Sequence, residues 1–272
     1  MLCYPFSEKR LLKWRPPWIA QPKLNGERCR VLVHEGRCLL LSSTEEIIAS
    51  VPHINQACLE HLGDGEYDGE LYVHGWTWAE IHGVVSRTTN IHPRANEMEL
   101  HLFDLVNESE QQFQRTITLS QIQLEWPLHF VPHTIVFNFQ DLMALYDNYI
   151  AEGYEGFVLR HFDPYYIRRR SLCMMKFKPK KRDQYKITGV YEAISESGLP
   201  KGMVGGFNCI DDMNTPFDVG AGKLKHAERK LLWIQYKDDP KSLVGKMLKV
   251  EYQTLSDKNK VPHFSRAMEV IL

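Results

Sequence analysis

The chain has 272 residues, 43% hydrophobic and 25% charged, with a formal net charge of −1. This length allows one large domain or two modest ones, and the composition excludes collagen-like, mucin-like and disordered classes. No apolar run approaches the roughly 20 residues of a membrane span, and charges and prolines interrupt MLCYPFSEKRLLKWRPPW where a signal peptide would be continuously apolar.

In chain order, the first motif is Lys23-Leu24-Asn25-Gly26-Glu27-Arg28. A lysine before a tight turn can serve as an amine nucleophile, and the glycine lets a ligand approach the backbone. The same pattern also fits a solvated lysine at an ordinary Asn-Gly turn. Alternating apolar residues predict strands over Cys29–His34 and Cys38–Leu41, joined by a hairpin turn at Glu35-Gly36-Arg37. Helices are predicted near Val51–Leu62, Thr77–Val84 and Gln140–Glu152, with Gly153 as a C-cap. Asp68-Gly69-Glu70-Leu71-Tyr72 reads as a turn feeding a carboxylate into a strand, suited to a ribose hydroxyl or a hydrated Mg²⁺, or as a plain hairpin. Strands are predicted over Leu100–Val106 and Gly156–Arg160. Phe103 fits either a purine-stacking aromatic or a core residue. Glu155 must face a metal or solvent, since a buried unpaired carboxylate is too costly. In Lys176-Phe177-Lys178 strand alternation puts both lysines on one face, suited to a triphosphate or to guarding an exposed edge.

The texture changes after Pro179. Short strands are predicted over Tyr185–Ile194, Gly205–Ile210, Thr215–Val219 and Met247–Thr254, with one helix near Leu224–Gln235. Such a segment suits a small OB-type β-barrel. Strands and helices mix without strict alternation, so the expected class is α+β rather than a doubly wound sheet. The expected domains are 1–181 and 182–272.

Charge is unevenly spread. Residues 1–40 carry 8 basic and 3 acidic side chains, residues 41–159 carry 3 and 18, residues 160–186 carry 10 and 2, and residues 187–272 carry 12 and 11. The block Arg160–Lys186 interleaves cations with tyrosines, as a phosphate-rich partner requires, although a solvated face has the same composition. The six cysteines form no C-x-x-C pair, so neither a zinc site nor a disulfide framework is expected, and a reducing cytosol is the simplest setting.

The order of these motifs resembles the covalent nucleotidyltransferase superfamily of DNA ligases, RNA ligases and capping enzymes. KLNG is similar to its motif I, DGELY to motif III, HLFDL to motif IIIa, EGFVLR to motif IV and MKFKPKK to motif V. The C-terminal stretches KGMVGGFNCI, PFDVGAGKL and LVGKMLKVEYQTLSDKNKVPHFSRAMEVI resemble the OB domain of small bacterial and phage ATP-dependent DNA ligases. The likeness runs from about Ile19 to the end of the chain.

The resemblance implies a nucleotidyltransferase domain of antiparallel sheets with flanking helices, followed by an OB barrel. It implies sealing of 5′-phosphate/3′-hydroxyl nicks in duplex DNA, in repair or replication. ATP would adenylylate Lys23, with Mg²⁺ required and Mn²⁺ a substitute, and AMP would then pass to the nick. By similarity, Arg28, Glu70, Phe103, Lys176 and Lys178 bind nucleotide, and Glu70 and Glu155 organise metal. Arg28, Arg168, Arg169, Arg170, Lys180, Lys181, Lys258, Lys260 and Arg266 are the candidate DNA contacts. The expected enzyme is a cytoplasmic monomer, bacterial or phage-encoded, with no membrane partner. The other readings are an RNA ligase or capping enzyme, a non-catalytic binding relative, and a single-strand binder with an unrelated first domain. NAD-dependent ligases are excluded, because their extra modules have no room.

Three departures stand out. Asn25 replaces the family's aspartate, Leu41-Ser42-Ser43-Thr44 lacks the arginine that many relatives place after the second strand, and no clear basic motif VI closes the chain. A slow first step, or a high KM for ATP, is expected from these changes.

Overall fold

The computed structural model describes residues 1–178, 180–252, 254–256, 260–263 and 265–271. They form two compact units, Met1–Lys178 and Pro179–Leu272. The class is mixed α+β.

The first unit runs β1 (Leu2–Pro5), α1 (Glu8–Leu11), β2 (Trp18–Pro22), β3 (Glu27–His34), β4 (Arg37–Leu41), α2 (Pro52–His61), β5 (Gly65–Tyr72) and α3 (Trp78–Val85). It continues with β6 (Glu99–Leu105), α4 (Gln112–Ser120), β7 (Leu128–Phe130), β8 (Thr134–Val136), α5 (Phe139–Ala151), β9 (Phe157–His161) and β10 (Arg170–Phe177). Two five-stranded sheets result, ordered β4-β3-β5-β6-β7 and β1-β10-β9-β2-β8.

Local chemistry explains several elements. Glu35 and Gly36 both adopt positive φ, at 47° and 72°, so the β3–β4 hairpin has the twist of a primed turn. Thr77 and Glu80 close a capping box at the start of α3. Gly153, at φ 89°, follows α5 as its left-handed C-terminal residue. The β3–β5–β6 sheet buries Cys29, Val31, Leu71, Leu100 and Leu102 against α2 and α3. Its other face carries Arg28, Glu70 and His101, cross-strand neighbours in register (Arg28 opposite Glu70, Glu70 opposite His101). The second sheet packs Trp18, Ala20, Phe157, Leu159 and Met175 against Leu142 and Tyr149 of α5.

The second unit holds β11 (Lys181–Ile194), β12 (Pro200–Ile210), β13 (Pro216–Gly220), α6 (His226–Asp238), β14 (Met247–Tyr252), the short pair β15 (Thr254–Leu255) and β16 (Pro262–His263), and β17 (Arg266–Ile271). Five of these strands close in the order β11-β12-β13-β17-β14, with Gly220 opposite Arg266 as the link between β13 and β17. Val204, Phe207, Val219, Leu248 and Val250 fill the interior. Among the described residues, no helix is long and apolar enough to cross a membrane.

Two sequence readings need correction, and one helix has no counterpart among the predicted elements. Asp68-Gly69-Glu70 lies inside β5, not at a turn. The strand carrying Lys176 runs between β1 and β9, so it is not a guarded edge. Helix α4 was not predicted, because its buried residues are Gln112, Arg115, Thr116 and Leu119, three of them polar, which erases the apolar period.

Candidate active site

A cavity of about 200 Å³ opens on the polar face of the β3–β5–β6 sheet and is lined by Lys23, Arg28, Glu70, Phe103, Arg160 and Lys176, among others. Lys23 follows β2 directly. Its backbone N–H donates to the Gly156 carbonyl at 2.9 Å, and its carbonyl accepts from the Glu155 N–H at 3.1 Å. This pair of bonds carries the line of β2 past Pro22 and holds Lys23 beside Glu155.

Glycine is required at two places. A Cβ on Gly26 would lie 2.2 Å from the Leu71 carbonyl oxygen, so any side chain would push the lysine loop off β5. Gly156 has φ 138°, and a Cβ there would meet the Phe177 carbonyl oxygen at 2.1 Å.

The Lys23 ammonium lies 2.6 Å from Glu155 Oε2, and Lys178 pairs with the other oxygen of the same carboxylate. Lys23 also donates to the Leu24 carbonyl at 2.9 Å. Burial works to lower the Lys23 pKa, but Glu155 and then Glu70 outweigh it and hold the pKa above the ordinary lysine value. Lys178 moves the other way: burial, followed by repulsion from Lys23, brings it below its ordinary range. Burial pushes Glu70 up to about 7 against the pull of Lys23, and its Oε1 accepts from the Gly26 N–H at 3.3 Å.

Arg28 is clamped. Its Nε and Nη2 both donate to buried Asp68 at 2.8 Å, a bidentate pair that fixes the guanidinium at the cavity wall. Phe103 is half-buried on the cavity face of β6, with the Arg160 guanidinium 5.3 Å from its ring centre. Arg160, the last residue of EGFVLR, is central. It is buried, donates to Gln21 Oε1 at 2.7 Å and pairs with Asp104 at 2.8 Å. Asp104 also receives fully buried Arg115 at 2.8 Å. The signal was present in HLFDL and EGFVLR: a carboxylate and an arginine within otherwise apolar strands must find partners.

The candidate DNA contacts scatter. Arg168 is held by Glu66 and Glu108. Arg170 donates to the Cys3 carbonyl at 2.7 Å and lines the cavity. Arg169 and Lys181 are exposed and in no ion pair among the described residues. In the second unit, Lys180, Arg182 and Lys223 converge on buried Glu251, which they hold down at about 2 despite burial acting in the opposite direction. Lys260 is exposed with φ 55°, and Arg266 opens β17. Lys258 lies outside the described residues. Asn25 is half-buried, and its side chain makes no hydrogen bond among the described residues.

Comparison with known proteins gives consistent matches. The profile of the ATP dependent DNA ligase domain matches residues 1–178. A DNA ligase of African swine fever virus is 26% identical over 269 residues, covering 92% of this chain. The chain spans 62% of that protein's length. A solved structure from the Lig E DNA ligases superposes with a TM-score of 0.80 at 18% identity, covering 99% of this chain and 98% of the other. The ATP-dependent DNA ligase of bacteriophage T7, in complex with ATP, gives 0.55 at 15% identity, covering 99% and 97%.

Proposed function

Because the chain belongs to the ATP-dependent DNA ligase family, we propose that it seals 5′-phosphate/3′-hydroxyl nicks in duplex DNA, acting as a monomer. The observation that carries this reading is the placement of Lys23 in one cavity with Glu70, Phe103, Arg28 and Lys176, its ammonium tied to Glu155. The first unit is the adenylation domain on this reading, and the closed barrel of the second is an OB fold.

The neutral Lys23 amine attacks the α-phosphorus of ATP. The N–P bond forms as the bond to the bridging oxygen breaks, and pyrophosphate leaves. Lys23 must first lose a proton, and Glu155 is the acceptor within reach. Phe103 stacks on the adenine, and Arg160 beneath it fixes the ring's position. Glu70 takes the ribose hydroxyls. Lys176 and Lys178 bear on the phosphate, where charge grows in the transition state. AMP then passes to the 5′-phosphate at the nick, and the 3′-hydroxyl displaces it. Glu70 and Glu155 suit Mg²⁺: both are oxygen donors beside Lys23, the ligand type a hard cation takes. Bound there, the ion would neutralise phosphate charge.

Incubation with α-labelled ATP and Mg²⁺, then denaturing electrophoresis, tests the reading. A label lost in Lys23→Ala and chased onto nicked DNA supports it. No label on protein free of bound AMP overturns it. Asn25→Asp addresses the slow first step: a faster burst at micromolar ATP is the expected result.

A further inference from the structure

One cluster on the polar sheet face takes no part in this chemistry. Glu99 and His101 stand two residues apart on β6, so both project to the same side. His129 on the parallel strand β7 lies in register with His101. The two imidazoles stack with centres 4.8 Å apart. Glu99 Oε2 is 2.9 Å from His101 Nε2 and 3.5 Å from His129 Nε2. One ligand atom from each of the three residues lies within 4.8 Å of the others.

We infer that Glu99, His101 and His129 form a binding site for a single Zn²⁺-class divalent cation, separate from the site of nucleotide chemistry. Donors placed about 2.0–2.1 Å from a tetrahedral zinc ion stand roughly 3.3 Å apart. The two separations from Glu99 bracket that value, and the third lies within 4.8 Å. A hydrogen bond joins His101 to Glu99, but none accounts for His129 among the described residues. His129 Nε2 is enclosed and makes no hydrogen bond among the described residues, although it stands 3.5 Å from the carboxylate. An enclosed ring nitrogen without a partner is costly, and a metal removes the cost.

The donor set also selects the ion. Two imidazoles and one carboxylate favour Zn²⁺, Ni²⁺ or Cu²⁺ over Mg²⁺, which prefers oxygen ligands and retains its waters. This runs against the sequence expectation of no zinc site, which rested on cysteines alone, whereas this donor set contains none. Tyr72 packs edge-on against His101 at 5.3 Å and braces the ring. All three side chains remain partly exposed, at 16–38%, so an ion can enter and a fourth position is left for water. His101 is the register neighbour of Glu70, so the cation would lie beside the nucleotide cavity and tie β6 to β7.

The test is titration of tag-free, chelator-treated full-length protein with Co²⁺ as a visible-absorption probe, followed by displacement with Zn²⁺. One equivalent of Co²⁺ should give the absorption of a four-coordinate ion, and Zn²⁺ should raise the midpoint of thermal unfolding. Glu99→Gln, His101→Asn and His129→Asn should each weaken binding at least roughly tenfold, while His34→Asn, a change at an exposed histidine elsewhere, leaves it unchanged. Glu99→Gln is isosteric, so its fold can be checked independently by circular dichroism. No stoichiometric binding by the unaltered protein, or equal binding by all three folded variants, overturns the assignment. Neither result depends on nucleotide transfer, so this inference and the ligase reading can fail separately.

Discussion

The carboxylate of Glu155 is shared between two lysines: Oε2 lies 2.6 Å from the Lys23 ammonium, and Oε1 pairs with Lys178. Burial works to lower the Lys23 pKa, but Glu155 and Glu70 outweigh it and make Lys23 harder to deprotonate, whereas burial and repulsion from Lys23 make Lys178 easier, so Lys23 rests as an ammonium. Below a lysine's pKa, the neutral fraction grows about tenfold per pH unit. Single-turnover adenylylation should therefore climb through neutral pH. Glu70, pushed up to about 7, becomes a carboxylate over the same range and adds an inflection. Glu70→Gln should remove the inflection and keep the climb. Glu155→Gln should shift the whole profile to lower pH, because burial then acts on Lys23 with less opposition, while the maximal rate falls. A profile that stays in place in Glu155→Gln would separate the carboxylate from lysine ionisation.

Arg160 links the cavity to the buried ionic centre. Arg160→Met removes one of two guanidiniums from Asp104, and the loss of a buried ionic partner costs about 3 kcal/mol or more. Phe103 also loses the group beneath its ring. Denaturant unfolding should show the stability loss, and KM for ATP should rise more than kcat falls. Arg115→Met should match the stability loss while leaving KM nearly unchanged, since Arg115 does not line the cavity.

Affinity for DNA should fall with salt, but less steeply than the cations of the Arg160–Lys186 block suggest. Arg160, Arg168, Lys178, Lys180 and Arg182 are already paired with acids. Each phosphate contact contributes a slope of about −0.9 in log K against log salt. Arg169→Ala and Lys181→Ala should each reduce the slope by roughly one contact. Arg168→Ala should change it less, because its guanidinium serves Glu66 and Glu108. Binding isotherms across a salt series measure this directly.

Glu251 predicts acid sensitivity in the second unit. Its folded pKa of about 2 lies below the ordinary 4.5, so the ionised form stabilises the fold. That stabilisation is complete above about pH 4.5 and is lost as pH falls towards about 2. Glu251→Gln should cost about 1–3 kcal/mol at neutral pH, the lower end reflecting partner cations that can rehydrate. The variant should also lose part of the acid dependence in unfolding followed by Trp233 fluorescence.

The sequence by itself determined the local elements and the chemical types. The Cys29–His34 and Cys38–Leu41 alternation needed only a pleated surface with one apolar side, and the structure extends those strands by a residue or two. Thr77 and Gly153 marked helix ends because caps act within one turn. Lys23, Glu70, Phe103 and Lys176 were legible as candidates because their order along the chain is a motif, and they do line one cavity. Tertiary structure decided which charges are available. Arg168 and Lys180 read as free cations until folding set them against Glu66 and Glu251, residues 102 and 71 positions away in the chain. It also decided the Arg160–Asp104–Arg115 centre and the Glu99–His101–His129 cluster, each assembled by strand register and packing between distant segments. Pattern in a sequence reports what a residue's neighbours in the chain require of it. Long-range charge pairing is invisible there, because the Coulomb energy depends on a distance that only the fold sets.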